Sequence, residues 1–165
     1  MAHTPYAAPA FEAKLCPPGE LAQRLAGLPR PLVFTNGCFD LLHRGHATYL
    51  AQARALGASL VVGVNSDASV KHLGKGDGRP VNALEDRLAV LAALESVSLA
   101  TWFDEDTPLE LIRLVQPEVL VKGGDWAPEN IVGADLVHAR GGSVHSIPFR
   151  HDRSTSALLS KIRSL

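Results

Sequence analysis

The sequence is poor in cysteine. The two that occur in 165 residues, Cys16 and Cys38, stand far apart and form no CxxC pair. That argues against a disulfide framework and fits a reducing compartment. A surplus of charge is also missing: 16 Lys and Arg stand against 17 Asp and Glu, a formal net charge of −1. A phosphate backbone calls for a basic surface, so nucleic acid is not an expected partner and any anion site must be local. No apolar run approaches the ~20 residues of a membrane span. The opening residues, MAHTPYAAPA, lack the basic-then-apolar order of a signal peptide. The expectation is a cytoplasmic protein without a membrane partner. Three familiar signatures are absent as well: the GxxxxGK[ST] loop, the GxGxxG turn and the HEXXH zinc motif.

What is present has the composition of one soluble domain, with 46% hydrophobic and 20% charged residues. Residues 1–16 are rich in Ala and Pro without a period and read as a disordered tail. Residues 17–165 read as a single domain, opened by a lead-in helix over 17–29. From Pro31 the pattern alternates. PLVFTN, SLVVGVN, VSLATWF, EVLVKGG and GSVHSIPF are candidate buried strands. HATYLAQARALG, ALEDRLAVLAALES, TPLELIRLV, residues 131–140 and STSALLSKIRSL are candidate helices. Tyr49, Leu50, Ala53 and Leu56 share one helical face, and Gly57 is its expected C-terminal cap. Thr107 and Pro108 are the expected N-cap and first position of the third helix in that series. Strands alternating with helices predict an α/β fold: a Rossmann-like, doubly wound, mainly parallel five-stranded sheet with helices on both faces.

Ligands of such sheets bind beyond the carboxyl ends of the strands, near the point where strand order reverses. The residues just after each apolar run are therefore suspects: Thr35–His46, Asn65–Asp67, Lys122–Asp125 and Arg150–Ser156. The loop KHLGKGDGRPVN, residues 71–82, has four charged side chains and three glycines and could close over a ligand.

The stretch TNGCFDLLHRGH carries two histidines three positions apart. Three readings stand open. The histidines are solvated beside ordinary turn glycines; or they bind zinc, which would need a third ligand; or they serve phosphate chemistry. For the last, a helix starting near His46 points its free N–H groups and positive dipole end at the crevice. Two imidazoles one turn apart can donate to one phosphate, and Gly45 removes a side chain that would block close approach.

GCFDLLHRGH resembles the HxGH signature of the nucleotidyltransferase superfamily, which includes the cytidylyltransferases. RSTSALL at 153–159 resembles its second signature, and VNSDASVK, EDRLAVL and LVKGGDW resemble further segments. Within the superfamily the chain is most similar to the heptose 1-phosphate adenylyltransferases of ADP-heptose synthesis. It has no room for the sugar kinase that some of them carry, so the stand-alone form is expected. The resemblance implies AMP transfer from ATP to a heptose 1-phosphate for lipopolysaccharide core synthesis, with ATP as co-substrate, Mg2+, small-molecule partners only, and a homo-oligomer such as a dimer. The alternatives are a cytidylyltransferase acting on glycerol 3-phosphate or a phospho-alcohol, and a non-catalytic nucleotide-binding module.

Residue by residue, His43 and His46 are the expected donors to the triphosphate. Lys75, in the loop, is the expected cation for the α-phosphate or the incoming phosphate, ahead of Lys71. The resemblance places Arg87 on the phosphates; otherwise it pairs with Glu85 or Asp86 on its helix. Thr35, Asn36, Gly37, Phe39 and Gly45 are assigned to the nucleotide seat. The resemblance adds Lys122, Gly123, Gly124 and Asp125, for base and ribose. Trp126 is a candidate to stack on adenine or a structural residue. Arg153, Ser154, Thr155 and Ser156 open the last helix and make a second anion cradle, or a plain N-cap. Asp40 orients an imidazole, contacts the acceptor or caps a helix. Asn65 and Asp67 form an Asx turn, or Asp67 contacts the sugar. Cys38 reads as packing. No protein ligands to a metal are assigned.

Overall fold

The computed structural model describes residues 6–74, 76–151 and 153–165. Five strands, β1 Leu32–Gly37, β2 Ser59–Asn65, β3 Leu99–Phe103, β4 Val119–Gly123 and β5 Ser143–Ile147, form one sheet in the order β3-β2-β1-β4-β5. Every pairing is parallel. The order reverses between β1 and β4, so the crevice opens at the carboxyl ends of those two strands.

Helices cover both faces, and strand alternation decides which face each side chain joins. Leu32 and Phe34 of β1 pack with Leu21, Leu25, Leu111, Ile112 and Val137. These come from α1 Leu21–Ala26, α5 Leu109–Val115 and α6 Ala134–Ala139. Val33, between them in the strand, joins Tyr49, Leu50, Ala53, Leu88 and Leu91 on the other face, from α2 Arg44–Arg54 and α4 Leu84–Ala92. Two further helices are α3 Asp67–His72, after β2, and α7 Thr155–Arg163, after β5.

Several local expectations change. Ala10–Lys14 form a 3-10 turn and Cys16 is fully buried, so the ordered chain starts well before residue 17. The cause is pairing that composition does not reveal: Cys16 N donates to Ala100 O at 2.9 Å, and Lys14 Nζ donates to Leu94 O at 3.0 Å. The expected tail residues 1–5 lie outside the described residues. Leu56 falls off the buried face of α2, and Ala55 rather than Gly57 follows its last turn. Gly57 is small for a packing reason, since a Cβ there would come within 2.6 Å of Pro31 O. Pro108, not Thr107, occupies the N-cap of α5. The segment read as an Asx turn after β2 is a helix, α3, with Ser66 as N-cap accepting from Ser69 N at 3.2 Å.

Candidate active site

A cavity of about 550 Å3 opens where the strand order reverses. Its floor is the β1–α2 turn. β1 ends at Gly37, Phe39 takes the left-handed conformation (φ 47°), and α2 starts at Arg44 with His43 as N-cap. The first intrahelical bond runs from Ala47 N to His43 O at 3.2 Å. The amides of residues 44–46 therefore have no acceptor within the helix, and the positive end of its dipole borders the cavity that His43 and His46 line.

His43 and His46 both line the cavity with stacked rings, 3.9 Å between centroids and 28° apart in plane. A Cβ on Gly45 would lie 2.9 Å from Cε1 and Nδ1 of His43. The glycine of the motif thus makes room for the histidine ring itself. His46 also meets Phe39 and Phe149 edge-on, which fixes its plane. Burial, and then the Arg153 guanidinium, hold His43 below its ordinary value. At neutral pH it is an uncharged imidazole able to donate one hydrogen bond. Its Nδ1 is buried and has no hydrogen-bond partner among the described residues.

The opposite wall is the start of α7. Ser154 Oγ caps the helix by accepting from Ala157 N at 3.0 Å. Thr155 Oγ1 donates to Leu41 O at 3.1 Å, which ties α7 to the β1–α2 turn. Two of the three hydroxyls therefore hold the cradle together, while Ser156 and Arg153 line the cavity with them. Lys122 and Gly123, at the end of β4, complete the rim. A smaller cavity of about 110 Å3 shares Asn36 and Lys122 with the first and is walled by Pro108, Trp126, Asn130, Ile131 and Val132. Trp126 is half exposed, with Lys122 Nζ 6.0 Å from its ring centroid.

Asn36, Gly37, Phe39, Asp40, His43, His46, Lys122, Arg153, Ser154, Thr155 and Ser156 thus meet around one space, as expected. Others do not. Thr35 is fully buried and hydrogen-bonded to the Tyr49 hydroxyl. Gly45 is buried under His43. Gly124 serves the backbone instead: its φ is 112° and its N–H donates to Ile147 O at 2.8 Å. Asp125 is exposed and does not line the cavity. Asn65 is buried, with Nδ2 donating to Ser69 Oγ at 3.0 Å. Lys75 lies outside the described residues.

Arg87 is the largest correction. It is 2% exposed and does not reach the cavity. Its guanidinium donates to Cys38 O and Asn65 O at 2.7 Å, to Asn82 O at 3.1 Å and to Asp67 Oδ1 at 2.7 Å. Its partner is Asp67, neither Glu85 nor Asp86. It pins the ends of β1 and β2 to the loop before α4. Asp67 gives Oδ1 to Arg87, keeps a side chain 42% exposed, and does not line the cavity.

Asp40 caps no helix and touches no imidazole among the described contacts. Its side chain is wholly enclosed, accepting from Arg79 Nε at 2.6 Å, Val81 N at 2.9 Å and Asn82 N at 2.9 Å. Burial pushes its carboxyl upward, but the amides of Asn82 and Val81 and the Arg79 guanidinium outweigh that and hold it below its ordinary value. Arg79, Tyr49 and Phe149 line the cavity and were not singled out from the sequence. The only usable signal for Arg79 was its place in a glycine-rich loop beside Lys75. Phe149 had none. Asp40 is the one carboxylate on the lining, and its oxygens are engaged, so the described residues offer no carboxylate ligand for a metal inside the cavity.

Residues 34–140 match the cytidylyltransferase-like family model. The chain belongs to the cytidylyltransferase-like family. Within it, the chain is 55% identical over 155 residues to D-beta-D-heptose 1-phosphate adenylyltransferase of Bordetella bronchiseptica, covering 93% of this chain and 96% of that one. It is 53% identical over 132 residues to the bifunctional protein HldE of Hahella chejuensis, covering 80% of this chain but only 28% of that protein. Among solved structures, a lipopolysaccharide core biosynthesis protein of Thermoplasma volcanium superposes with a TM-score of 0.59 at 28% identity, over 74% of this chain and 98% of that one. The family's doubly wound sheet is the one observed here.

Proposed function

We propose that this chain is an adenylyltransferase that moves AMP from ATP to D-glycero-β-D-manno-heptose 1-phosphate, giving ADP-heptose and pyrophosphate for lipopolysaccharide core synthesis. The observation that carries the reading is the stacked His43–His46 pair at the start of α2, facing the start of α7 across one cavity. The similarity to the Bordetella enzyme supports the choice of substrate.

The acceptor phosphate needs no general base, because its second pKa is ~6 and it is already mostly ionised at neutral pH. An acceptor oxygen attacks the α-phosphorus. The bond from that phosphorus to the bridging oxygen breaks, and pyrophosphate leaves with its electron pair. The site's work is alignment and charge stabilisation. The histidines donate to the oxygens of the α-phosphate as the five-coordinate state forms. The amides at the start of α7, with Ser156 and Arg153, receive the β- and γ-phosphates. Mg2+ bound with the nucleotide would add neutralisation of the leaving pyrophosphate, and the described cavity residues would leave its coordination mostly to the substrate.

The test is pyrophosphate release with Mg2+, crossing ATP and CTP against heptose 1-phosphate and glycerol 3-phosphate. Release with ATP and the heptose phosphate alone is the expected result. Release with CTP and glycerol 3-phosphate would overturn the substrates. Nucleotide binding without release in any combination would point to a binding module.

A further inference from the structure

Residues 76–82 border the cavity through Arg79, and the way it is held is unusual. Its side chain is only 10% accessible and its Nε is committed to Asp40 at 2.6 Å. Asp40 itself is wholly enclosed and fixed by two backbone amides. Asn82 Nδ2 adds a bond to Asp40 O at 2.7 Å, so the loop's end is fastened to the β1–α2 turn at several points. The two terminal amino groups of Arg79 meet no protein acceptor among the described residues, while the side chain lines the cavity. A guanidinium with Nε spent on a buried carboxylate still presents a planar pair of donors, the geometry that grips a phosphate bidentately.

The anchoring also decides which phosphate. Asp40 holds Arg79, and the next residue, Leu41, accepts from Thr155 at the start of α7. Arg79 and the start of α7 are therefore fastened to consecutive residues of one turn, and both line the same cavity. We propose that Arg79 is a binding residue for the β,γ-phosphates of the nucleotide, and so for the departing pyrophosphate, with Asp40 as the positioning residue that aims it. Since the Asp40 charge offsets that of Arg79, the contribution is donors fixed in direction rather than net charge. The inference rests on the adenylyltransferase reading for the identity of the triphosphate, not for the presence of an anion.

The experiment measures Mg-pyrophosphate and ATP affinity calorimetrically on the full chain, alongside KM for both substrates, in the wild type, Arg79→Ala and Arg79→Lys. Loss of a charge-assisted pair is expected to weaken pyrophosphate binding ~10–100-fold in Arg79→Ala and to raise KM for ATP in parallel. KM for the heptose phosphate should change less than about two-fold, since that phosphate sits on the other side of the α-phosphorus. Arg79→Lys, which keeps the charge but not the fork, should recover only part of the loss. Unchanged pyrophosphate affinity in an Arg79→Ala protein with wild-type melting overturns the proposal. A rise confined to KM for the acceptor overturns the donor-side assignment. If the wild type binds pyrophosphate but turns over no heptose phosphate, the function fails while the Arg79 result still stands.

Discussion

Two segments leave the carboxyl ends of neighbouring strands, and they use their polar side chains in opposite ways. After β1 the chain turns into α2 and shows His43 and His46 to the cavity, with Gly45 cleared for the His43 ring. After β2, Asn65, Ser66 and Ser69 bond to one another, and Arg87 is locked among Cys38, Asn65, Asn82 and Asp67. Both segments sit at the same edge of the sheet. The difference lies in the neighbours. β1 borders the reversal of strand order with β4, where the connections leave on opposite sides and a crevice opens. β2 lies between β1 and β3, away from that reversal, so its terminal polar groups must satisfy one another. Position at a strand end makes a residue a candidate; the topological switch decides whether it meets a ligand.

The strongest way to break this contrast is at the first segment. His46→Ala should cost ~10²–10³-fold in kcat, the usual loss for one preorganised donor, with little change in melting temperature. Near-normal turnover would remove the histidines from the chemistry. Gly45→Ala should cost up to ~10²-fold by displacing the His43 ring, since small misplacements of reacting groups weigh that heavily. A fully active Gly45→Ala enzyme would show that the ring position is not needed.

The second segment should respond in stability instead. Arg87→Lys strips donors from carbonyls enclosed in the fold and is expected to lower stability by ~2–4 kcal/mol, a fall of several degrees in Tm. KM for ATP should stay near the wild-type value. A raised KM at unchanged Tm would return Arg87 to the phosphates.

The acid side gives a smaller signal. His43 is held below its ordinary value of 6.5, so the unfolded chain takes up this proton first as pH falls. Its contribution to stability is full above about pH 6.5 and is lost as pH drops through the lower folded value. Asp40 acts the same way from its ordinary value of 3.8 downward. Acid unfolding of His43→Asn should lack the first part of that slope, and an unchanged profile would show that the imidazole is not shifted. The smallest effect belongs to Asp67→Asn. The carboxylate is 42% exposed and its pair with Arg87 is screened, so the loss should be ~1 kcal/mol or less, read by denaturant titration.

Much of this was open to reading along the chain, for physical reasons that differ by residue. β1 to β4 are short, mostly buried apolar runs, so hydropathy marks them, while the edge strand β5 is only half-buried. His43, Gly45 and His46 lie within one helical turn, so their spacing is already their geometry. Ser154–Ser156 begin a helix, and their place there is local too. Arg79 and Arg87 defeat that logic. One lies in the glycine-rich loop and the other on the helix after it, both are arginines, and the structure places Arg79 on the cavity and buries Arg87 away from it. The choice is made by Asp40 and Asp67, 39 and 20 residues away.

The sequence by itself determined the alternating α/β pattern, the histidine-bearing turn into α2 and the serine-capped start of α7, because each is encoded within a few consecutive residues. Only the tertiary structure decided the strand order, the packing of the segment before Leu21 onto the sheet, and which cations reach the cavity. Those depend on partners distant in sequence, and a buried guanidinium goes wherever the fold leaves carbonyls and carboxylates to satisfy.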